Sequence, residues 1–237
     1  MSFREGSIFR LQSNFNIFIV NNLKMLNQQK IIDCYNKTAS IYAEKFINEL
    51  EHKHLDTVLL KAFADENKLR GRLLDIGCGP GQTTQFLADH GIQDLLGTDI
   101  SPAMVTTAQK LNPKAKFEVA DMLALSYADS SFAGIVAFYA IVHLGYDYLP
   151  TAFSEFHRVL VPGGQALFSF HVGDEKIHQD IFLDQKVDVE FIFYKTNSVI
   201  ELLAAAGFGI IDAVERKPYP GVEYPSTRAY VWIEKKQ

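Results

Sequence analysis

Apolar positions recur at helical spacing over residues 27–50, through Ile31, Ile32, Tyr35, Ala39, Tyr42, Phe46 and Leu50. They do so again over 54–64, through Leu55, Val58, Leu59, Ala62 and Phe63. The pattern then changes. Residues 72–76 form a short apolar run ending in glycines, which predicts a buried strand. A helix is expected over 81–90, stopped by Gly91, and a second strand over 94–100. Ser101 and Pro102 open the next helix as N-cap and first-turn proline. Strands follow over 116–120 and 132–139, then a helix over 148–160 ended by Pro162-Gly163-Gly164, then a fifth strand over 165–172.

Strands alternating with helices predict an α/β fold, a parallel sheet covered on both faces and joined by right-handed crossovers. The C-terminal part departs from that rhythm. A helix over 196–206 is followed by strands over 208–216 and 227–235. Only a stretch containing Pro218-Tyr219-Pro220-Gly221 separates them. No helix fits there, so this pair should run antiparallel at the sheet edge. Residues 27–237 read as one domain, with 27–64 as a helical lid and 173–195 as an insertion placed to cover a ligand. Residues 1–26 read as an extension. Three readings of it stay open: a loosely docked arm, a segment outside a fold that starts at Met25, or an anchor for a membrane or partner. It lacks the small-residue cleavage site of a signal peptide.

Composition narrows the options. Apolar and charged fractions of 48% and 22% suit a globular protein with a core of its own. A net charge of −5 and a pI of about 5.8 argue against a nucleic-acid partner. No apolar run approaches the ~20 residues that span a bilayer. Two cysteines, Cys34 and Cys78, predict no disulfide framework and fit a cytoplasmic protein. The histidines lack metal-ligand spacing: His52 and His54 flank one lysine, and His171 and His178 are too far apart for a helical pair. No metal is expected.

The chemistry concentrates at strand ends. Asp75-Ile76-Gly77-Cys78-Gly79-Pro80-Gly81 lies at a strand-to-helix turn, the natural ligand crevice of such sheets. A dinucleotide fingerprint needs a third glycine where this chain has Gln82. Asp75 would also face a pyrophosphate, and two unit charges ~5 Å apart repel by roughly 3 kcal/mol at an effective dielectric of 20. A sulfonium amino acid has an ammonium and no phosphate, so the same carboxylate helps it. Asp99 ends the second strand and can accept both ribose hydroxyls. Asp121 ends the third and can accept an adenine amino group, with Ile100 and Met122 sandwiching the ring.

With these residues in place, the chain resembles the class I S-adenosylmethionine (AdoMet)-dependent methyltransferases of the small-molecule type called type 11 or type 25. The resemblance rests on residues 73–81, Thr98-Asp99-Ile100-Ser101, Asp121-Met122 and Val159-Leu160-Val161-Pro162-Gly163-Gly164, and it covers about residues 30–235. It implies a Rossmann-like seven-stranded mixed sheet ordered 3-2-1-4-5-7-6, with strand 7 antiparallel. It implies AdoMet as cofactor, S-adenosylhomocysteine as product, and an N-terminal helix with Tyr-x-x-x-Ala-x-x-Tyr closing over them. Here that motif is Tyr35 to Tyr42, and Tyr42 resembles the tyrosine that reaches the methionine portion. The cofactor set expected is Tyr42, Asp75, Ile76, Gly77, Cys78, Gly79, Gly81, Thr83, Asp99, Ile100, Met104, Asp121, Met122 and Phe138. Tyr139, His143 and His171 are the acceptor-side candidates.

The sulfonium methyl is already electrophilic, so the expected chemistry is mainly positioning and desolvation; orientation alone can supply ~7–11 kcal/mol. A general base is required only if the acceptor keeps its proton near neutral pH. The fourth-strand tip Phe138-Tyr139-Ala140-Ile141 carries neither the Pro-Pro pair of amino-methylating DNA enzymes nor the Pro-Cys nucleophile of cytosine C5 enzymes. With the acidic charge, this favours a small or medium-sized apolar acceptor; a monomer or homodimer is also expected. A non-catalytic AdoMet-binding protein and an NAD-type oxidoreductase on a similar sheet are the rival readings.

Overall fold

The computed structural model describes residues 5–236, with side chains from Met25 onward. Helix α1 (Glu5–Phe46) runs through position 26 without a break, so the boundary expected there is not one of secondary structure. Residues 1–4 of the expected extension lie outside the described residues. The helix expected over 27–50 stops at Phe46, and a separate 3-10 turn, Glu49–His52, leads into α2 (His54–Asn67).

The remaining elements are β1 (Leu73–Ile76), α3 (Gln82–Asp89), β2 (Leu95–Asp99), α4 (Pro102–Leu111), β3 (Lys116–Val119), β4 (Phe132–Phe138), α5 (Leu149–Val159), β5 (Leu160–His171), β6 (Lys176–Phe182), β7 (Gln185–Ile192), α6 (Thr196–Ala205), β8 (Phe208–Arg216) and β9 (Arg228–Lys235). Seven strands form one sheet in the order β3-β2-β1-β4-β5-β9-β8. With the β6–β7 hairpin set aside, that is the order the resemblance implies. β9 runs antiparallel to both β5 and β8. β5 begins earlier than expected, because Leu160 pairs with Phe132 before the Pro-Gly-Gly turn shifts the register.

The two-residue period of the strands sorts the core. Leu74, Ile76, Ile135, Ala137 and Phe168 face α5 and α6, where Phe153, Phe156, Val199 and Leu203 are buried. Leu73, Val136 and Leu167 face the other way, onto Leu60 and Phe63 of α2 and Leu87 of α3. α5 buries Leu149, Ala152, Phe153, Phe156 and Val159, the three-and-four spacing of an amphipathic helix. Ser101 caps α4 by accepting from the Met104 N–H at 3.2 Å, with Pro102 in the first turn. Residues 173–195 contain the antiparallel hairpin β6–β7, which packs against α1. Among the described residues, no helix is long and apolar enough to cross a membrane.

Candidate active site

A cavity of about 490 Å³ lies along the C-terminal ends of the parallel strands. Its floor comes from the β1–α3 loop and the tips of β2, β4 and β5; α1 and the β6–β7 hairpin also line it. Side chains tie these walls together. Lys30 pairs with Asp188 at 2.8 Å, and Lys37 Nζ donates to the Lys186 carbonyl at 3.1 Å. The Phe182 ring packs beside those of both Tyr35 and Tyr42, with centroids 6.3 and 6.4 Å away. Asn36 accepts from Ser101 Oγ at 2.8 Å and from the Ala103 N–H at 3.1 Å, fixing α1 to the start of α4.

The glycine loop needs its first glycine for two reasons. Gly77 has φ of 66°, and a Cβ there would stand 2.6 Å from the Ala140 Cβ. The loop is held open by the Cys78 N–H donating to the Thr98 carbonyl at 2.9 Å. Asp99 accepts from the Gly79 N–H at 3.0 Å and the Ser101 N–H at 2.9 Å. Burial pushes its carboxyl up to about 6, against those backbone N–H groups. Tyr42, Ile76, Gly77, Cys78, Gly79, Thr83, Asp99, Ile100, Met104, Met122 and Phe138 all line the cavity.

Three expected cofactor residues stand elsewhere. Asp75 is 1% exposed and does not line the cavity. The pleat of β1 turns it toward α3, where Thr84 Oγ1 donates to it at 2.6 Å. Burial lifts its carboxyl to about 7, which weakens the repulsion of a diphosphate expected from this aspartate. Gly81 sits below the loop as the left-handed N-cap of α3, backed by Asn112 and Phe117. Asp121 lies just outside the cavity wall: Gln28 of α1 donates to its Oδ2 at 2.7 Å, and the Leu123 N–H to its Oδ1 at 2.9 Å.

On the acceptor side, Tyr139 has φ of 54°, a strained conformation for a non-glycine residue. Its N–H donates to the Ser169 carbonyl at 3.0 Å, which holds its ring against the cavity. His143 has no ring nitrogen to spare. Nδ1 is 2.6 Å from the Glu190 carbonyl oxygen, which can only accept, so Nδ1 carries the hydrogen. Nε2 then accepts from the Tyr35 hydroxyl at 2.6 Å. Burial holds this imidazole neutral, down to about 4. His171 lines the cavity, stacked on Phe193 with centroids 4.9 Å apart, and Nδ1 lies 2.7 Å from Ser226 Oγ. Burial first, then Arg228 and Lys53, lower it to about 3.

Sequence reasoning passed over Gln28, Glu49, Lys53, Glu223 and Arg228, which also line the cavity. Arg228 opens β9 ahead of the apolar run from Ala229 to Ile233 and pairs in register with His171, a placement that only the antiparallel strand order reveals. The lysine between His52 and His54, which joins the 3-10 turn to α2, gave no signal in the sequence.

Comparison with known proteins agrees with this architecture. A methyltransferase domain model matches residues 73–164. Phosphoethanolamine N-methyltransferase 3 of Arabidopsis thaliana is 28% identical over 162 residues, which are 66% of this chain and 33% of that protein. The malonyl-[acyl-carrier protein] O-methyltransferase of Enterobacter lignolyticus is 25% identical over 68% of this chain and 66% of its own. This chain thus spans about a third of the plant relative and two thirds of the bacterial one. The magnesium protoporphyrin IX methyltransferase of Synechocystis PCC 6803, solved with bound AdoMet, superposes with a TM-score of 0.67 at 15% identity, covering 89% of this chain and 97% of that one. The methyltransferase match runs from β1 to the Pro-Gly-Gly turn, and laid on this strand order it supports a class I S-adenosylmethionine-dependent methyltransferase.

Proposed function

We propose that this chain methylates a small-molecule acceptor, and that positioning and exclusion of water supply most of the rate. The observation that carries the proposal is the single cavity that joins the glycine loop and Asp99 to Tyr35, Tyr139 and His171. Asp99 and the loop from Gly77 to Gly79 would hold the nucleoside and amino-acid ends of AdoMet, with Ile100, Met104 and Met122 against the adenine. Gly79 suits that approach: its φ is 54°, and the nearest atoms to a Cβ there would be 3.9 Å away or more. When bound, the cofactor supplies an electrophilic methyl group beside the acceptor.

The chain's own groups then orient the acceptor. Phe182 and Phe191 of the hairpin and Phe46 of α1 give it apolar walls. The Tyr35 hydroxyl, whose hydrogen is committed to His143, offers its oxygen lone pair to an acceptor O–H or N–H. His143 is a positioning residue in this scheme. Tyr139 closes the strand-4 side. The net charge and cavity size favour a metabolite over nucleic acid, and two cysteines that are both free fit a cytoplasmic setting.

Incubating the protein with methyl-labelled AdoMet and a panel of hydroxy, amino and thiol metabolites, with RNA and protein as controls, tests the proposal. Label should enter one or more small molecules. Label confined to RNA or protein would overturn it.

A further inference from the structure

Besides the glycine loop and Asp99, the cavity is lined by a set of buried charges. Lys53 is 8% exposed, Arg228 is 3% exposed, and the carboxylate of Glu223 is enclosed with them. Taking such groups out of water costs several kcal/mol per ion unless their hydrogen bonds are complete. On the anionic side they nearly are. Arg216 reaches both Glu223 oxygens at 2.7 Å, and the Tyr219 N–H adds a third bond at 2.9 Å. Asp56 Oδ1 accepts from Arg216 at 2.8 Å and from Tyr230. Glu49 accepts from Lys53 at 2.6 Å and from Gln82 at 3.0 Å.

On the cationic side they are not. Arg228 Nη1 donates to the carbonyls of Tyr224 and Ser226, but Nε makes no hydrogen bond. The nearest carboxylate oxygen, on Glu223, is 3.4 Å from Nε and out of line. Lys53 has three N–H donors and one hydrogen-bonded partner, Glu49. Its ammonium lies 5.0 Å over the Tyr139 ring, facing the acceptor side, and 3.9 Å from Glu223. Unused capacity at this end is therefore mainly N⁺–H donors. Among the described residues, two buried acceptors of this cluster lack a partner: Asp56 Oδ2, beside the Arg216 pair, and Gln82 Oε1, beside Glu49.

Resting on the methyltransferase reading above, we infer that the acceptor carries an oxyanion, a carboxylate or a phosphate ester, held by Lys53 and Arg228 between Tyr139 and His171. Its apolar body would then run back toward Phe182 and Phe191, and its methylated atom toward Tyr35.

Calorimetry on the full chain tests this. S-adenosylhomocysteine is titrated first; no binding would remove the methyltransferase reading and the oxyanion site with it. Matched carboxylates, phosphate monoesters, primary amides and amines on the same aryl and alkyl bodies are then titrated into both the free protein and the complex. One anionic series should bind about tenfold or more tighter than its amide partners, and which series does so tells carboxylate from phosphate. Lys53→Met should reduce that preference to about twofold without changing S-adenosylhomocysteine affinity, and Lys53→Arg should keep it. Amides or amines binding as well as the anions, no anion binding at all, or a preference that survives Lys53→Met would each overturn the inference. The wild-type comparison decides the matter even if a variant fails to fold.

Discussion

Tyr35 Oη lies 2.6 Å from His143 Nε2, while Nδ1 of the same ring lies 2.6 Å from the Glu190 carbonyl oxygen. This pair joins α1 to β7 through the strand-4 tip, and it fixes the tautomer. A neutral ring with hydrogen on Nδ1 is the consequence, and it removes His143 as a free base. Ring-nitrogen NMR between pH 5 and 8 should show one neutral tautomer that does not titrate, since burial holds the group down to about 4. Tyr35→Phe should leave Nε2 buried and unpaired, at a cost of about 1–3 kcal/mol in unfolding free energy. A ring that titrates near 6.5 would show that the pair does not form.

Asp99 is the expected anchor of the ribose. Two charge-assisted hydrogen bonds are each worth roughly 1.5–3 kcal/mol. Asp99→Ala should therefore weaken S-adenosylhomocysteine binding by about 100-fold or more. The far-UV spectrum should stay that of the parent. Unchanged affinity would take Asp99 out of the site.

The two buried carboxyls give the ligand-free protein a pH signature. For Asp75 the sign follows from a folded-state value raised to about 7 above an unfolded value near 4. The folded state holds the proton longer, so this group's contribution is full at low pH and is lost as pH rises from about 4 to about 7. His143 and His171, both lowered, act in the opposite sense over part of that range. The difference between parent and Asp75→Asn isolates the aspartate. The variant's relative stability should grow with pH across that window, by at most about 1.4 kcal/mol per pH unit, and level off above it. Denaturant titrations at pH 5, 6, 7 and 8 read this. A difference independent of pH would mean that Asp75 is already ionised at low pH.

Most of the sheet was legible in the sequence because strand runs, glycine stops and the Ser101-Pro102 cap are local signals. Strand order beyond β5 was legible because no helix fits between β8 and β9. What escaped was set by register and by facing. Asp75 looked like a ligand residue from its place before Gly77, yet the pleat aims it at Thr84. His143 was an acceptor-side candidate, and the partners that take up both its ring nitrogens lie 47 and 108 residues away along the chain. Lys53 and Arg228 come from opposite ends of the chain, and no spacing rule joins them. The hairpin within 173–195 was anticipated only as an insertion over the ligand, since its strands pair with each other and not with the sheet.

The most direct measurement is calorimetric titration of the ligand-free protein with AdoMet, S-adenosylhomocysteine and NAD⁺ in parallel. The expected result is saturable one-to-one binding of the first two and none of the third, because this chain has Gln82 where a dinucleotide fingerprint needs its third glycine. Heat from NAD⁺ with none from either sulfur nucleoside would contradict the assignment of this cavity.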